Sequence, residues 1–157
     1  MKFADFICFE ATVAQLKATN RDDAIKELIL SLEKAGKLKK GASKDIIKAI
    51  IKRENEASTG MGKGVAIPHV KYKSVKELVG VVGLSSAGID FFALDKQPVH
   101  SVILMISPEN DPDKHLITME HIFKNLQREM FRKFLRQCSR PEHVQDLLNE
   151  ADEDSSL

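Results

Sequence analysis

The sequence predicts an α/β fold: one layered domain over residues 1–157, with a single, mainly buried β-sheet flanked by helices. Three observations predict it. Apolar residues recur at helical spacing in the first third of the chain, give way after Pro68 to runs of aliphatic and β-branched residues, and return to helical spacing after Pro112. No internal repeat or linker divides the chain.

Ile25, Leu28, Ile29 and Leu32 mark the first helix, with Asn20 as its cap, Asp22 and Asp23 at its positive end and Gly36 as its stop. The second takes Ser43 as a cap and carries Ile46, Ile47, Ile50 and Ile51 on one face toward Arg53 and Glu54, before a glycine-rich loop. Leu78, Val79, Val81, Val82 and Leu84, then Val99, Val102, Ile103, Leu104 and Ile106, read as strands buried on both faces and bounded by turn signals at Gly88 and Pro108. Asp111-Pro112 opens a third helix, with Pro112 in its first turn and a stripe of Leu116, Met119, Ile122, Phe123 and Leu126. A fourth carries Phe131, Phe134 and Leu135. A fifth starts near Pro141, buries Val144, Leu147 and Leu148, and leads into an acidic tail from Glu150 to Asp154 that is expected to be flexible. Helices are therefore expected before, between and after the strands. Strand order does not follow from the pattern.

The 157 residues suffice for a packed core, and 43% hydrophobic with 30% charged residues excludes a disordered or fibrous chain. With 24 Lys and Arg against 23 Asp and Glu, the net charge of +1 provides no bulk field for nucleic acid or an anionic membrane, so partners must be chosen by a local site. Cys8 and Cys138 are too far apart for a dithiol or zinc motif and read as free thiols. No stretch has the roughly 18–20 apolar residues of a membrane span, and the acid in Met1-Lys2-Phe3-Ala4-Asp5-Phe6 does not suit a signal peptide. A complete, cytoplasmic chain is expected.

The chemistry concentrates in Ser58-Thr59-Gly60-Met61-Gly62-Lys63-Gly64-Val65-Ala66-Ile67-Pro68-His69. Gly60, Gly62 and Gly64 allow the positive φ values that turn successive amides toward one point, a nest suited to an anion. Ser58 and Thr59 add hydroxyls, and Arg53 adds a cation for phosphate oxygens. Pro68 restrains the residue before it to extended geometry and helps aim His69. A neutral imidazole can attack a phosphoryl group through one ring nitrogen while the other donates a hydrogen bond that fixes the tautomer. That scheme requires no cofactor and no metal. Nucleotide motifs fit poorly, because Gly62-Lys63-Gly64 lacks the Ser/Thr of a P-loop and a helix, not a strand, precedes the glycines. A nucleotide-binding or hydrolytic enzyme is accordingly disfavoured.

Arg53-Glu54-Asn55-Glu56-Ala57-Ser58-Thr59-Gly60 followed by Gly64-Val65-Ala66-Ile67-Pro68-His69 resembles the active-site signature of the IIA phosphocarriers of the bacterial sugar phosphotransferase system, specifically the mannitol/fructose type that includes the nitrogen-regulatory IIA proteins. Gly88-Ile89-Asp90-Phe91, Gln97-Pro98-Val99 and His115-Leu116 extend the resemblance over most of the chain. It implies a mixed sheet, and it implies that His69 accepts phosphate from the phosphocarrier HPr or its nitrogen-branch relative. The phosphate then passes to a IIB component or serves as a signal to a regulatory target. It also implies Arg53 as the cation near the phosphate and His115 as the second histidine beside the first. Two departures stand out: Ala57 replaces a frequent glycine and Lys63 a frequent asparagine, so a stiffer and more positive loop is expected.

Plainer roles compete. Arg53 could pair with Glu54 or Glu56 on a solvated helix end, Ser58 and Thr59 could be turn formers, and Glu54 could either orient a histidine or pair with Arg53. His100, His121 and His143 read as ordinary, and the spacing of His115 and His121 does not suit zinc. Two function classes remain, a phosphotransfer relay and a regulatory module whose docking follows phosphorylation. With no IIB or membrane IIC domain joined to it, the chain is expected to meet its partners in solution, which favours the regulatory class.

Overall fold

The computed structural model describes residues 1–153. Among them are helices α1 (Arg21–Lys34), α2 (Ser43–Glu56), α3 (Pro112–Leu126), α4 (Glu129–Gln137) and α5 (Pro141–Glu153), and strands β1 (Gly60–Gly62), β2 (Val65–Ala66), β3 (His69–Tyr72), β4 (Val79–Ile89) and β5 (Val99–Pro108). The fold is the expected α/β arrangement. The helices precede and follow the strands, however, and none lies between β1 and β5.

β5 organises the mixed sheet. β4 pairs with it antiparallel on one side, while β2 and β3 both pair with it parallel on the other. The register is the same on both sides of the gap between β2 and β3: Ala66 lies opposite Val102, and His69 opposite Met105. Residues 65–72 are therefore one line of chain interrupted at Ile67-Pro68, with β1 paired beyond β2 and β3 left at the edge. The N-terminal segment lies along the far side of β4 through bridges from Ile7 to Gly80 and Val13 to Gly83. A side chain at position 83 would place its Cβ 2.7 Å from Leu28 of α1, so glycine there lets α1 settle onto the sheet.

Both sheet faces are covered, which explains the continuous apolar runs of β4 and β5. Val79, Val81, Val102, Leu104 and Ile106 pack toward Ile25, Leu28 and Leu32 of α1 and Ile46 and Ile50 of α2. The alternate residues Val82, Leu84, Ile103 and Met105 join Ile122 and Leu126 of α3, Phe131 and Leu135 of α4, and Val144 and Leu148 of α5.

The caps are partly as expected. The Asn20 side chain accepts from the Asp23 amide and the Asp111 side chain from the Lys114 amide, with Pro112 in the first turn of α3. Ser43 is not the cap of α2: Ala42 takes that place, and Ser43 is buried as the first helical residue. Leu116 and Phe134 do not join the core. They are 58% and 39% exposed, and Thr118 and Asn125 are buried on α3 instead. Glu150, Asp152 and Glu153 are helical rather than part of a tail, and the Asp152 carboxylate accepts from the amides of Phe3 and Ala4, joining the two ends of the chain. The rest of the expected tail, from Asp154, lies outside the described residues.

Candidate functional site

The site forms where the end of α2, the broken edge strand and the start of α3 converge on β5. The last turn of α2 carries Arg53 and Glu54. Glu54 is only 2% exposed, and its carboxylate accepts from both the amide and the hydroxyl of Thr59. It forms no ion pair with Arg53, whose Nη1 donates instead to Ala57 O at 2.8 Å. Those bonds bend the chain out of α2. The Ser58 hydroxyl continues the bend by donating to Phe91 O at 2.5 Å and accepting from the Gly60 amide at 3.0 Å.

The glycine segment is a β-hairpin. β1 and β2 pair antiparallel, Gly62 lies opposite Val65, and the two residues between them, Lys63 and Gly64, have φ of 58° and 79°. Positive φ at both central positions is the mark of a type I′ turn. The Lys63 amide donates to Asp95 Oδ2 at 3.0 Å. Several of the foreseen loop donors are thus engaged within the chain: the Thr59 amide and hydroxyl, the Ser58 hydroxyl and the Gly60 amide.

The hairpin delivers the chain to Pro68 and His69. The Ile67 amide donates to Thr59 O at 3.1 Å, and Pro68 O accepts from the Met105 amide at 3.0 Å, which pins the break from both sides. At His69 the ring Nδ1 lies 2.8 Å from Ile67 O. A carbonyl can only accept, so Nδ1 carries the proton and Nε2 keeps its lone pair. Burial lowers the pKa of His69, the Ile67 bond raises it, Arg53 lowers it, Glu54 raises it and Lys71 lowers it, with a lowered net result. The ring is therefore neutral at pH 7.

His115, in the first turn of α3, is brought to His69. The ring centroids are 5.4 Å apart at an interplanar angle of 52°. Its Nδ1 is hydrogen-bonded to the hydroxyl of Ser107 on β5. Burial, together with the positive charge of His69 when protonated and of Lys71, pushes its pKa down to about 4. Two facing neutral imidazoles result.

Of the residues read from the sequence, His69, His115 and Arg53 converge: the rings meet, and the Arg53 charge acts on His69. Ser58, Thr59, Gly60, Gly62 and Gly64 form the bend and hairpin that lead into His69. The ordinary histidines are held elsewhere: His100 Nδ1 donates to Ser85 O at 2.8 Å, His121 lies against Phe3 and 4.0 Å from Asp152, and His143 is exposed near the Ser139 amide. Sequence reasoning missed Ser107. Its signal was a hydroxyl residue directly after the apolar run Val102–Ile106, and burial of such a group implies a specific partner. The role of Ile67 O left no signal, because every residue has a carbonyl. No helix among the described residues is long and apolar enough to cross a membrane.

Comparison with known proteins bears on this arrangement. Residues 6–151 match the model of the family described as phosphoenolpyruvate-dependent sugar phosphotransferase system, EIIA 2. The chain is 33% identical over 153 residues to the PTS system fructose-specific EIIABC component of Bacillus subtilis; the match covers 97% of this chain and 24% of that protein, so the chain spans about a quarter of its length. It is 31% identical over 136 residues to a nitrogen regulatory protein of Bradyrhizobium diazoefficiens, with 87% of each chain covered. Among solved structures, the nitrogen regulatory protein IIA-Ntr of Neisseria meningitidis superposes with a TM-score of 0.83 at 26% identity, covering 93% of this chain and 98% of that one. With its fold and nearly its whole length accounted for in this way, the chain belongs to the EIIA type 2 family of the phosphoenolpyruvate-dependent sugar phosphotransferase system.

Proposed function

We propose that the whole chain acts as a single cytoplasmic phosphocarrier domain in which Nε2 of His69 accepts a phosphoryl group from the phosphohistidine of HPr or an HPr-like protein. The observation that carries this reading is the Nδ1–H bond to Ile67 O, which leaves the lone pair on Nε2 of a neutral ring. A new Nε2–P bond forms as the donor's N–P bond breaks, and the donor imidazole departs with the electron pair. Little covalent chemistry falls to the protein beyond positioning and charge stabilisation. The Arg53 guanidinium supplies positive charge for the phosphoryl oxygens and His115 an N–H donor. The engaged donors of Ser58, Thr59 and Gly60, with the turn at Gly62 and Gly64, hold the approach to His69 rigid.

Onward transfer to a IIB component, reversing the same step, suits the similarity to a fructose-specific EIIABC component. A regulatory role has its own support. Leu116 and Ile117, immediately after His115, are 58% and 51% exposed, so an apolar surface adjoins the site at which phosphorylation would add about two negative charges. A docked partner would sense both.

Incubation with Enzyme I, HPr and phosphoenolpyruvate, followed by intact-mass measurement at alkaline pH, tests the reading. One added phosphate is expected, and a protein that stays unlabelled with HPr and with its nitrogen-branch relative overturns it. Adding IIB proteins to the labelled form separates the two roles: rapid loss of label marks a relay, whereas persistent label with phosphorylation-dependent binding marks a regulator.

A further inference from the structure

Ser107 is fully buried in β5, opposite Lys71 of β3, and its hydroxyl makes one hydrogen bond, to Nδ1 of His115. A hydroxyl is both donor and acceptor, so two arrangements satisfy the distance. Either Nδ1–H donates to the serine oxygen, or the serine O–H donates to a bare Nδ1. Burial decides between them. In the first arrangement the serine proton would have no acceptor, and a buried donor without a partner is costly, whereas an oxygen with an unused lone pair is tolerated more readily. In the second, the serine proton is satisfied and the imidazole proton resides on Nε2, the opposite tautomer to His69.

We infer that Ser107 is a positioning residue that holds His115 as the Nε2–H tautomer, so that the facing rings present one lone pair and one N–H donor. His69 offers the nucleophilic Nε2, and His115 a neutral hydrogen-bond donor for a phosphoryl oxygen. The inference rests on the proposed phosphotransfer for its consequence, but the tautomer belongs to the unphosphorylated protein and is measured without any transfer. Its value would lie in neutrality: a cationic donor would bind the phosphoryl group more tightly and slow its release, whereas a neutral N–H serves acceptance and donation alike.

The charged and titratable groups acting on this ring are His69 and Lys71, and both oppose its protonation. Loss of Ser107 therefore has a signed consequence. If serine donates to Nδ1, its bond favours the neutral ring, and removing it raises the His115 titration midpoint toward the ordinary value. If Nδ1–H donates to serine, the bond favours the charged ring, and removing it lowers the midpoint.

The test is 15N-resolved NMR of the imidazole nitrogens in the wild type, Ser107→Ala and Ser107→Thr, with far-UV circular dichroism of each. The expected result is an Nε2–H ring for His115 in the wild type and a midpoint that rises in Ser107→Ala and returns in Ser107→Thr. Phosphate acceptance from HPr should slow about threefold to tenfold in Ser107→Ala, the worth of one neutral hydrogen bond, with rescue by threonine. An Nδ1–H ring in the wild type, or a midpoint that falls or stays fixed in a folded Ser107→Ala, overturns the inference. Failure of labelling in every variant, with the tautomer as stated, would instead count against the proposed transfer alone.

Discussion

His69 is oriented by its own stretch of chain, through a carbonyl two residues upstream, whereas His115 is oriented from another element, by a serine of β5 reaching the first turn of α3. The first arrangement is local to residues 67–69, in a segment tied through Thr59 to Glu54 of α2. The second holds only while α3 stays docked on β5. One ring of the pair is thus built into the edge strand and the other is added by packing, so damage to packing should reach His115 before it reaches His69.

The comparison breaks most completely at His69→Ala. Phosphate incorporation is expected to fall to zero by intact mass, and labelling that continues at the wild-type rate refutes the assignment. Glu54→Ala attacks the local side by stripping two buried donors of Thr59 of their acceptor, and should cost about 2–3 kcal/mol in urea unfolding. Unchanged stability would mean that the bend after α2 does not depend on that carboxylate. His115→Ala attacks the packed side: acceptance should slow about 30-fold, or ~2 kcal/mol, with His69 still the labelled residue. Equal rates in both directions of transfer would reduce His115 to a structural role.

The folded pKa of His115 is depressed to about 4 from 6.5. Below 6.5 the unfolded chain therefore binds a proton that the folded chain does not, and the contribution is fully present above 6.5 and lost as pH falls through 4. The loss should be on the order of 1–2 kcal/mol after allowance for the partly solvated ring, and it should shrink in His115→Ala. The lowered pKa of His69 keeps its lone pair free to lower pH than an ordinary histidine, so the acceptance rate should begin to fall only at a pH below the usual histidine midpoint of 6.5. The smallest effect is expected at Lys63→Asn. Asparagine tolerates positive φ better than lysine, and the hairpin should gain about 0.5 kcal/mol, read as a raised midpoint of thermal unfolding.

Much of this was legible in the sequence for a physical reason: periodicity reports burial. The isoleucines of α2 and the runs of β4 and β5 follow from that alone, and the Asn20 cap and the Asp111-Pro112 start follow from their chemistry. What the sequence left open depends on contacts between distant segments. Leu116 sits at an apolar spacing on α3 yet is exposed, because the first turn of α3 is turned toward the site and not the core. The glycines looked like an anion nest because glycine permits many turns, and only the pairing of β1 with β2 selects a hairpin among them. Ser107 and Ile67 O were invisible for the same reason. A hydroxyl in a strand or a main-chain carbonyl acquires a role only when folding brings a ring to it.

The carbonyl that holds His69 also bears on how readily a phosphoryl group could leave again. A carboxylate in that position would make the ring a stronger base and, once phosphorylated, a poorer leaving group, as suits an enzyme that must drive one direction. Ile67 O carries no formal charge, so the N–P bond would keep a transfer potential near that of an unassisted imidazole. On the proposed reaction, the interruption of the strand at Pro68 would thus supply a reversible store and not a sink, and the direction of flow would be set by the relative concentrations of charged and uncharged partners rather than by the protein.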